Sequence, residues 1–421
     1  MANDEIVAGL DIGTTTVRVV IGSRTERGTI EITGVGSSPS LGLRKGVVVN
    51  IEATLKSVAA AVDAAEQMSG REIHACWTGI GGSHIEGINS RGVVAVNSKS
   101  REEKTREIGP EDIERVLEVA RAIAIPLDRQ ILAVIPQSFI VDKQPGIRDP
   151  LNMIGVALEA EVHIITCSAN SAQNLIKCVN RAGYRVDELA LKTLAAGRAV
   201  LTEEEKELGV VLLDLGGGTT DALVYCQGTP YSTFSIPLGG SEITQDISMV
   251  KNISFENAER AKIEAQCCVA ELLERDDEII IEGMGGRPPV AIPKSQIATI
   301  VRPRLAEIFH MVKDRLDALP LNRPLGGGIV LTGGGAEFLG AVELATRIFR
   351  MPVRIGVPFP MGGLQEECLN PRYATAVGLA LEGNLHETGK RKEKGAESNA
   401  GGIERRSFLG RIGEWIKNEL F

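Results

Sequence analysis

Apolar and polar positions along the chain follow two periodicities, and the same order of elements comes round twice. Residues 5–35 read as three consecutive strands, with apolar runs at 6–10 and 17–21 and a third strand at 29–35. A helix is expected over 51–67: Ile51, Leu55, Val58, Ala59 and Val62 recur at helical spacing, Asn50 stands as N-cap and Gly70 lies past the end. The second half repeats this plan, with strands at 210–213, 222–225 and 231–236 and a helix opening after Gly239-Gly240-Ser241. A βββα unit present twice implies two matching α/β domains.

Other segments break the repeat. From about 83 to 161 the pattern changes to short strands, a helix at 110–124 and loops rich in Pro, Gly and Asp, which reads as an inserted subdomain. Alternation resumes at Val162-His163-Ile164-Ile165, and Ser168 opens a helix running to 180. A second insertion is expected from 252 to about 311, containing a helix at 256–273. Ile329-Val330-Leu331-Thr332-Gly333-Gly334-Gly335 is a strand running into a glycine turn. Residues 384–404 are polar, charged and without periodicity, the pattern of a flexible linker. Beyond them, 405–421 wound as a helix puts Phe408, Leu409, Ile412, Trp415, Ile416 and Leu420 on one face, with Arg405, Arg406, Arg411 and Lys417 off it or at its margin. That is the pattern of an interfacial membrane helix. A helix that docks on the core or on a partner is the alternative.

Composition narrows the function. A chain of 421 residues fits two or more domains, and a net charge of −9 argues against a nucleic-acid partner. Seven scattered cysteines without a Cys-x-x-Cys pair suggest neither disulfides nor zinc, and five isolated histidines suggest no transition-metal centre. The first residues include Asp4 and Glu5 and lack a basic segment followed by an apolar stretch, so no secretory signal is expected. No apolar run approaches the ~20 residues of a spanning helix, so membrane contact is expected to be peripheral.

The chemistry sits in the two hairpin turns. Leu10-Asp11-Ile12-Gly13-Thr14-Thr15-Thr16 and Leu213-Asp214-Leu215-Gly216-Gly217-Gly218-Thr219-Thr220-Asp221 share one pattern. Glycines let backbone approach a ligand, successive N–H groups form an anion nest, and threonine hydroxyls add donors. Two such turns facing each other would clamp a phosphate chain. Asp11 and Asp214 suit a shared Mg²⁺, which takes few carboxylates beside phosphates and water; the alternative is that each aspartate bonds its own turn. The Gly333-Gly334-Gly335 strip would let an adenine lie flat, or is a simple turn. No P-loop occurs.

Paired Asp-x-Gly turns, a Thr-Gly-Gly-Gly strand end and duplicated domains resemble the ATPase fold of actin, DnaK-type chaperones and sugar kinases. Val134-Ile135-Pro136-Gln137-Ser138-Phe139, Leu158-Glu159-Ala160-Glu161-Val162-His163, Gln173-Asn174-Leu175-Ile176-Lys177-Cys178 and Arg302-Pro303-Arg304-Leu305-Ala306-Glu307-Ile308 resemble, more narrowly, the FtsA family of bacterial cell-division proteins. The resemblance implies duplicated actin-like, ribonuclease-H-like α/β domains. Subdomain 1A would comprise 1–83 and 162–201 with a closing helix at 374–384, and 84–161 would be the inserted subdomain 1C. Subdomain 2A would comprise 202–250 and 312–373, and 2B would be 251–311. A linker at 385–404 and the amphipathic helix at 405–421 would complete the chain.

The same resemblance implies ATP and Mg as ligands. Asp11, Gly13, Thr14, Thr15 and Thr16 would form one phosphate loop, and Asp214, Gly216, Gly217, Gly218 and Thr219 the other. Gly239, Gly240 and Ser241 would approach the nucleotide, Glu259 and Lys262 would lie beside ribose and purine, and Gly333, Gly334 and Gly335 would flank adenine. Arg304 and Glu307 would meet the C-terminal tail of the tubulin-like protein FtsZ.

The implied role is tethering FtsZ polymers to the cytoplasmic face of the inner membrane at the septum, with self-association into filaments, an anionic membrane surface and later division proteins as partners. Hydrolysis would be slow at most, because no strong base is evident. Three departures from the family bear on turnover: Thr16 stands where lysine is common, Ala196 where serine is, and Gln266 where glycine is. The alternatives on this fold are a pilus or secretion scaffold and a small-molecule kinase.

Overall fold

A computed structural model describes residues 6–25, 28–96, 105–282, 288–321, 323–363 and 365–397. The expected membrane face, Phe408 to Leu420, therefore lies outside the described residues, as does the end of the expected linker.

The duplication is visible in strand order. One sheet runs Arg185–Leu191, Ala75–Ile80, Ile6–Ile12, Thr16–Arg24, Ile30–Pro39, with Gly362–Gly363 at its edge. The other runs Val353–Ile355, Gly328–Thr332, Val210–Leu215, Thr220–Cys226, Thr229–Ile236. In each, an antiparallel three-strand meander is extended by two parallel strands on the side of its first strand. Both first strands are buried on both faces, as their near-continuous apolar runs require.

Local signals set the first helix. Helix Ile51–Ser69 starts where the Asn50 side chain accepts the Ala53 N–H at 3.0 Å and stops at Gly70, whose left-handed φ of 65° glycine adopts without the Cβ penalty. Val58 and Val62 are fully buried against the sheet, each contributing roughly 1.5–3 kcal/mol.

The insertion is a four-stranded antiparallel sheet, Gln144–Ile147, Arg129–Val141, Ala157–Ser168, Glu86–Ala95, covered by helix Pro110–Arg121. Two expectations need correction here. The stretch Val162-His163-Ile164-Ile165 belongs to the inserted sheet rather than to the first domain, because Ala157–Ser168 is one continuous strand of that sheet whose two ends serve different cores. Leu158, Ala160, Val162 and Ile164 enter the insert's core, whereas Ile165 and Cys167 enter the first domain's. The covering helix also ends at Arg121, ahead of β-branched Ile123 and Ile125 and of Pro126, which disfavours helix in the residue before it.

In the second half, the helix expected at 256–273 is Phe255–Ala265 followed by a 3₁₀ turn at Ala270–Leu272. It stops because Gln266 adopts φ 42°, a left-handed cap. Helix Lys294–Asp317 runs unbroken across 311, so the boundary drawn there falls inside one helix. Its Ile297, Val301, Leu305, Phe309 and Val312 join the same core as Leu213 and Leu331.

The closing helix, Ala374–Glu397, is longer than expected, so 385–397 is helical rather than linker. Its Lys, Glu, Arg and Ala content favours helix even without an apolar stripe. It crosses helix Lys192–Val200 closely enough that a Cβ on Gly378 would stand 1.8 Å from the Ala195 carbonyl oxygen.

Candidate functional site

The two Asp-Gly turns face each other across the cleft between the domains. Each is closed by one matching hydrogen bond, from Gly13 N–H to the Thr16 carbonyl and from Gly216 N–H to the Thr219 carbonyl, both at 3.0 Å. The turns nearly touch: a Cβ on Gly217 would lie 2.6 Å from Thr15 Oγ1, and one on Gly218 would lie 2.7 Å from Thr14 Oγ1. Only glycine permits that approach. Thr14 Oγ1 accepts the Gly46 N–H at 3.1 Å, which fixes its rotamer.

Beneath the turns lies a buried charge cluster. Strand pairing sets Arg18 opposite Asp11 and Asp221 opposite Asp214. Lys192 Nζ pairs with Asp11 Oδ1 at 2.8 Å and donates to the Ile12 carbonyl at 2.6 Å. Burial pushes the Asp214 carboxyl up to about 7, helped by Asp221 and Asp11 and opposed by Lys192 and Arg18. Burial likewise raises Asp221, and it lowers Arg18, whose guanidinium lies 5.6 Å from the Tyr373 ring centre. Thr375 Oγ1, in the first turn of the closing helix, approaches Asp214 Oδ2 at 3.5 Å.

The far wall is apolar and glycine-lined. Gly333 has φ 78° and sits so close to Asp214 that a Cβ would meet Oδ1 at 2.3 Å, whereas a Cβ on Gly334 would meet nothing within 4 Å. Opposite, Lys262 Nζ donates to Glu259 Oε2 at 2.7 Å, Thr244 Oγ1 at 2.9 Å and the Gly240 carbonyl at 3.0 Å. Burial lowers the Lys262 pKa, and Glu259 opposes the shift. Ile263 and Phe338 add apolar surface to this wall.

The structure thus gathers Asp11, Gly13, Thr14, Thr15, Thr16, Asp214, Gly216, Gly217, Gly218, Thr219, Gly240, Glu259, Lys262, Gly333, Gly334 and Gly335 around one cleft. Gly239 and Ser241 stand behind the second turn, where Ser241 N–H holds the Gly217 carbonyl at 2.7 Å and a Cβ on Gly239 would meet the Gly216 carbonyl at 2.6 Å. Arg304 and Glu307 lie elsewhere, on helix Lys294–Asp317. There Arg304 forks onto Asp246 at 2.7 and 2.9 Å and reaches Glu307 at 2.6 Å.

Sequence reading misses Arg18, Gly81, Lys192, Asp221, Arg372 and Thr375, which also line the cleft. Gly81-Gly82 could have been found, since it follows the fourth strand of the first sheet as Gly333-Gly334 follows that of the second. Lys192 and Arg372 carry no such signal. Among the described residues no three His, Cys, Asp or Glu converge as a metal-ligand set, and no helix is long and apolar enough to cross a membrane.

The family model described as "Cell division protein FtsA" matches residues 211–378, and that of an SHS2 domain inserted in FtsA matches 82–166. The chain is 42% identical to the cell division protein FtsA of Pseudomonas aeruginosa over 99% of this chain and 98% of that one. It is 46% identical to that of Borreliella burgdorferi over 89% and 90%, and 36% identical to that of Escherichia coli K12 over 99% and 98%. Among solved structures it is similar in fold to a PilM–PilN type IV pilus biogenesis complex, with TM-score 0.63, 17% identity and coverage of 90% and 98%. MreB 5 of Spiroplasma citri bound to AMPPNP has TM-score 0.54, 15% identity and coverage of 93% and 99%. Both likenesses mark an actin-like fold.

Proposed function

The chain belongs to the FtsA family of cell division proteins, and from that premise we propose that it is an ATP-binding anchor that holds FtsZ polymers to the cytoplasmic face of the membrane at the division septum. The observation that carries the nucleotide part is the pair of identically closed turns, set near contact across one cleft. Anions favour such nests of N–H groups, and the glycine wall with Ile263 and Phe338 suits a flat base.

The carboxylates beneath the turns fit Mg²⁺ held through water. Asp11 is buried and Asp214 and Asp221 are partly so, Asp221 Oδ1 has no hydrogen-bond partner, and without a convergent ligand set the ion would rest mainly on phosphate and water. When bound, the ion would neutralise phosphate charge. The chain's own part is to hold the turns, orient the phosphates and exclude water. Closing the cleft around nucleotide would favour head-to-tail self-association, a heterologous contact that propagates as a filament.

The amphipathic pattern of 405–421, with Trp415 as aromatic anchor, supports attachment to an anionic membrane surface. Arg304 and Glu307 are the proposed contacts for the FtsZ tail, and later division proteins are further partners. The deciding experiment is capture of a synthetic FtsZ C-terminal peptide by the purified chain. Micromolar binding that Arg304→Glu weakens about tenfold or more is expected. Failure to bind the peptide would point instead to a pilus or secretion scaffold on the same fold.

A further inference from the structure

Neither phosphate turn carries a positive side chain. Gly13, Thr14, Thr15 and Thr16 face Gly216, Gly217, Gly218 and Thr219, and the floor below holds the carboxylates of Asp11, Asp214 and Asp221. A polyphosphate placed there meets N–H and O–H donors together with three acids, so a cation from another element has to offset the repulsion.

Among the described residues four cations line the cleft. Lys262 is engaged with Glu259, opposite the glycine-lined wall, and Arg372 with Glu337, beside that wall. Arg18 is half-buried and lies against the Tyr373 ring. Lys192 stands at the root of the first turn, on the Ile12 carbonyl directly before Gly13.

Its stem is held in a slot that two glycines keep open: a Cβ on Gly79 would meet Lys192 Cγ at 3.0 Å, and one on Gly81 would meet Cδ at 3.1 Å. The ammonium is therefore presented at a fixed place. Of its three donors the Ile12 carbonyl takes one, and Asp11 Oδ1 stands beside it at 2.8 Å as an ion-pair partner, which leaves donors for an incoming oxygen.

We infer that Lys192 is the phosphate-facing cation of this cleft, supplying from the start of helix Lys192–Val200 the charge that both turns lack. Thr16, at the mouth of the first turn, is where a lysine could serve the same end. The inference rests on the nucleotide reading above, and the two can fail separately.

The test uses the full chain with Mg-ATP and adenosine as probes in equilibrium binding. Lys192→Met keeps the stem in its slot and removes the charge. It should weaken ATP at least about tenfold, the loss of one charge-assisted hydrogen bond, and leave adenosine within twofold. Adding Thr16→Lys to that variant should restore most of the ATP affinity, and Lys192→Arg should retain it. Equal losses for ATP and adenosine, or no loss for either, would make Lys192 a structural counter-ion and overturn the inference while leaving nucleotide binding intact. A parent chain that binds neither probe would overturn both.

Discussion

Asp11 and Asp214 occupy equivalent places in the two copies, yet their cross-strand partners have opposite charge, Arg18 for one and Asp221 for the other. The second copy therefore carries an uncompensated acid. An unfolded aspartate titrates near 3.8, whereas Asp214 in the folded chain is pushed up to about 7. Between those values the folded state holds a proton that the unfolded state has released, so without nucleotide the stability falls as pH rises through the window and levels off above it. Asp214→Asn should melt like the parent near pH 4 and increasingly above it up to pH 7, gaining roughly 2–4 °C per kcal/mol recovered. Equal melting temperatures at pH 8 would show that the carboxylate is not strained by its neighbours. The turns are legible in sequence because their chemistry is local: glycine and threonine between two apolar runs. Asp221 and Lys192 are not, since a charge at a strand or helix start looks solvated until the topology brings it under the cleft.

Elements whose ends are set by caps are read well, and those decided by tertiary pairing are not. Helix Ile51–Ser69 announces both termini through Asn50 and Gly70, whereas strand Ala157–Ser168 hides its allegiance because its two faces serve two cores. The crossing of Ala374–Glu397 with Lys192–Val200 is another tertiary matter, and Gly378 marks it. Alanine there gains about 1 kcal/mol in helix propensity. Its Cβ would overlap the Ala195 carbonyl, and forced overpacking costs typically 1–3 kcal/mol. Sterics should win: Gly378→Ala is expected to lower the urea midpoint, and an unchanged midpoint would mean the two helices separate at no cost.

Across the whole molecule, the insert belongs by sequence to the first half but docks on the second. Gln137 Nε2 donates to the Pro230 carbonyl at 2.9 Å and Asn89 Nδ2 to the Tyr231 carbonyl at 3.1 Å. His163 lies between Asn89 Oδ1 at 2.6 Å and Thr233 Oγ1 at 3.0 Å. With Nδ1–H donating to Asn89, Nε2 accepts from the threonine hydroxyl, so the ring is held neutral, and burial lowers its pKa to about 4. An unfolded histidine charges near 6.5, so this contribution is whole above that pH and is lost as the pH falls toward 4. His163→Gln should cost about 1–3 kcal/mol at pH 7.5 and flatten the decline between pH 6.5 and 4. A parallel decline in both proteins would place the acid sensitivity elsewhere. The duplication and the insertion are legible from the repeat and its interruption. That the insert clasps the opposite domain is not, because those bonds come from single side chains meeting partners far away in sequence.

The closing helix has a mechanical consequence. Its first turn touches Asp214 through Thr375, and its 24 residues make a rod about 36 Å long that leads toward the chain's end. A tilt of about 10° at the root carries the far end through roughly 6 Å over that length. Were closure of the cleft to tilt that root, a movement too small to break any contact around the phosphates would become, at Glu397, a stroke about as long as one helical turn.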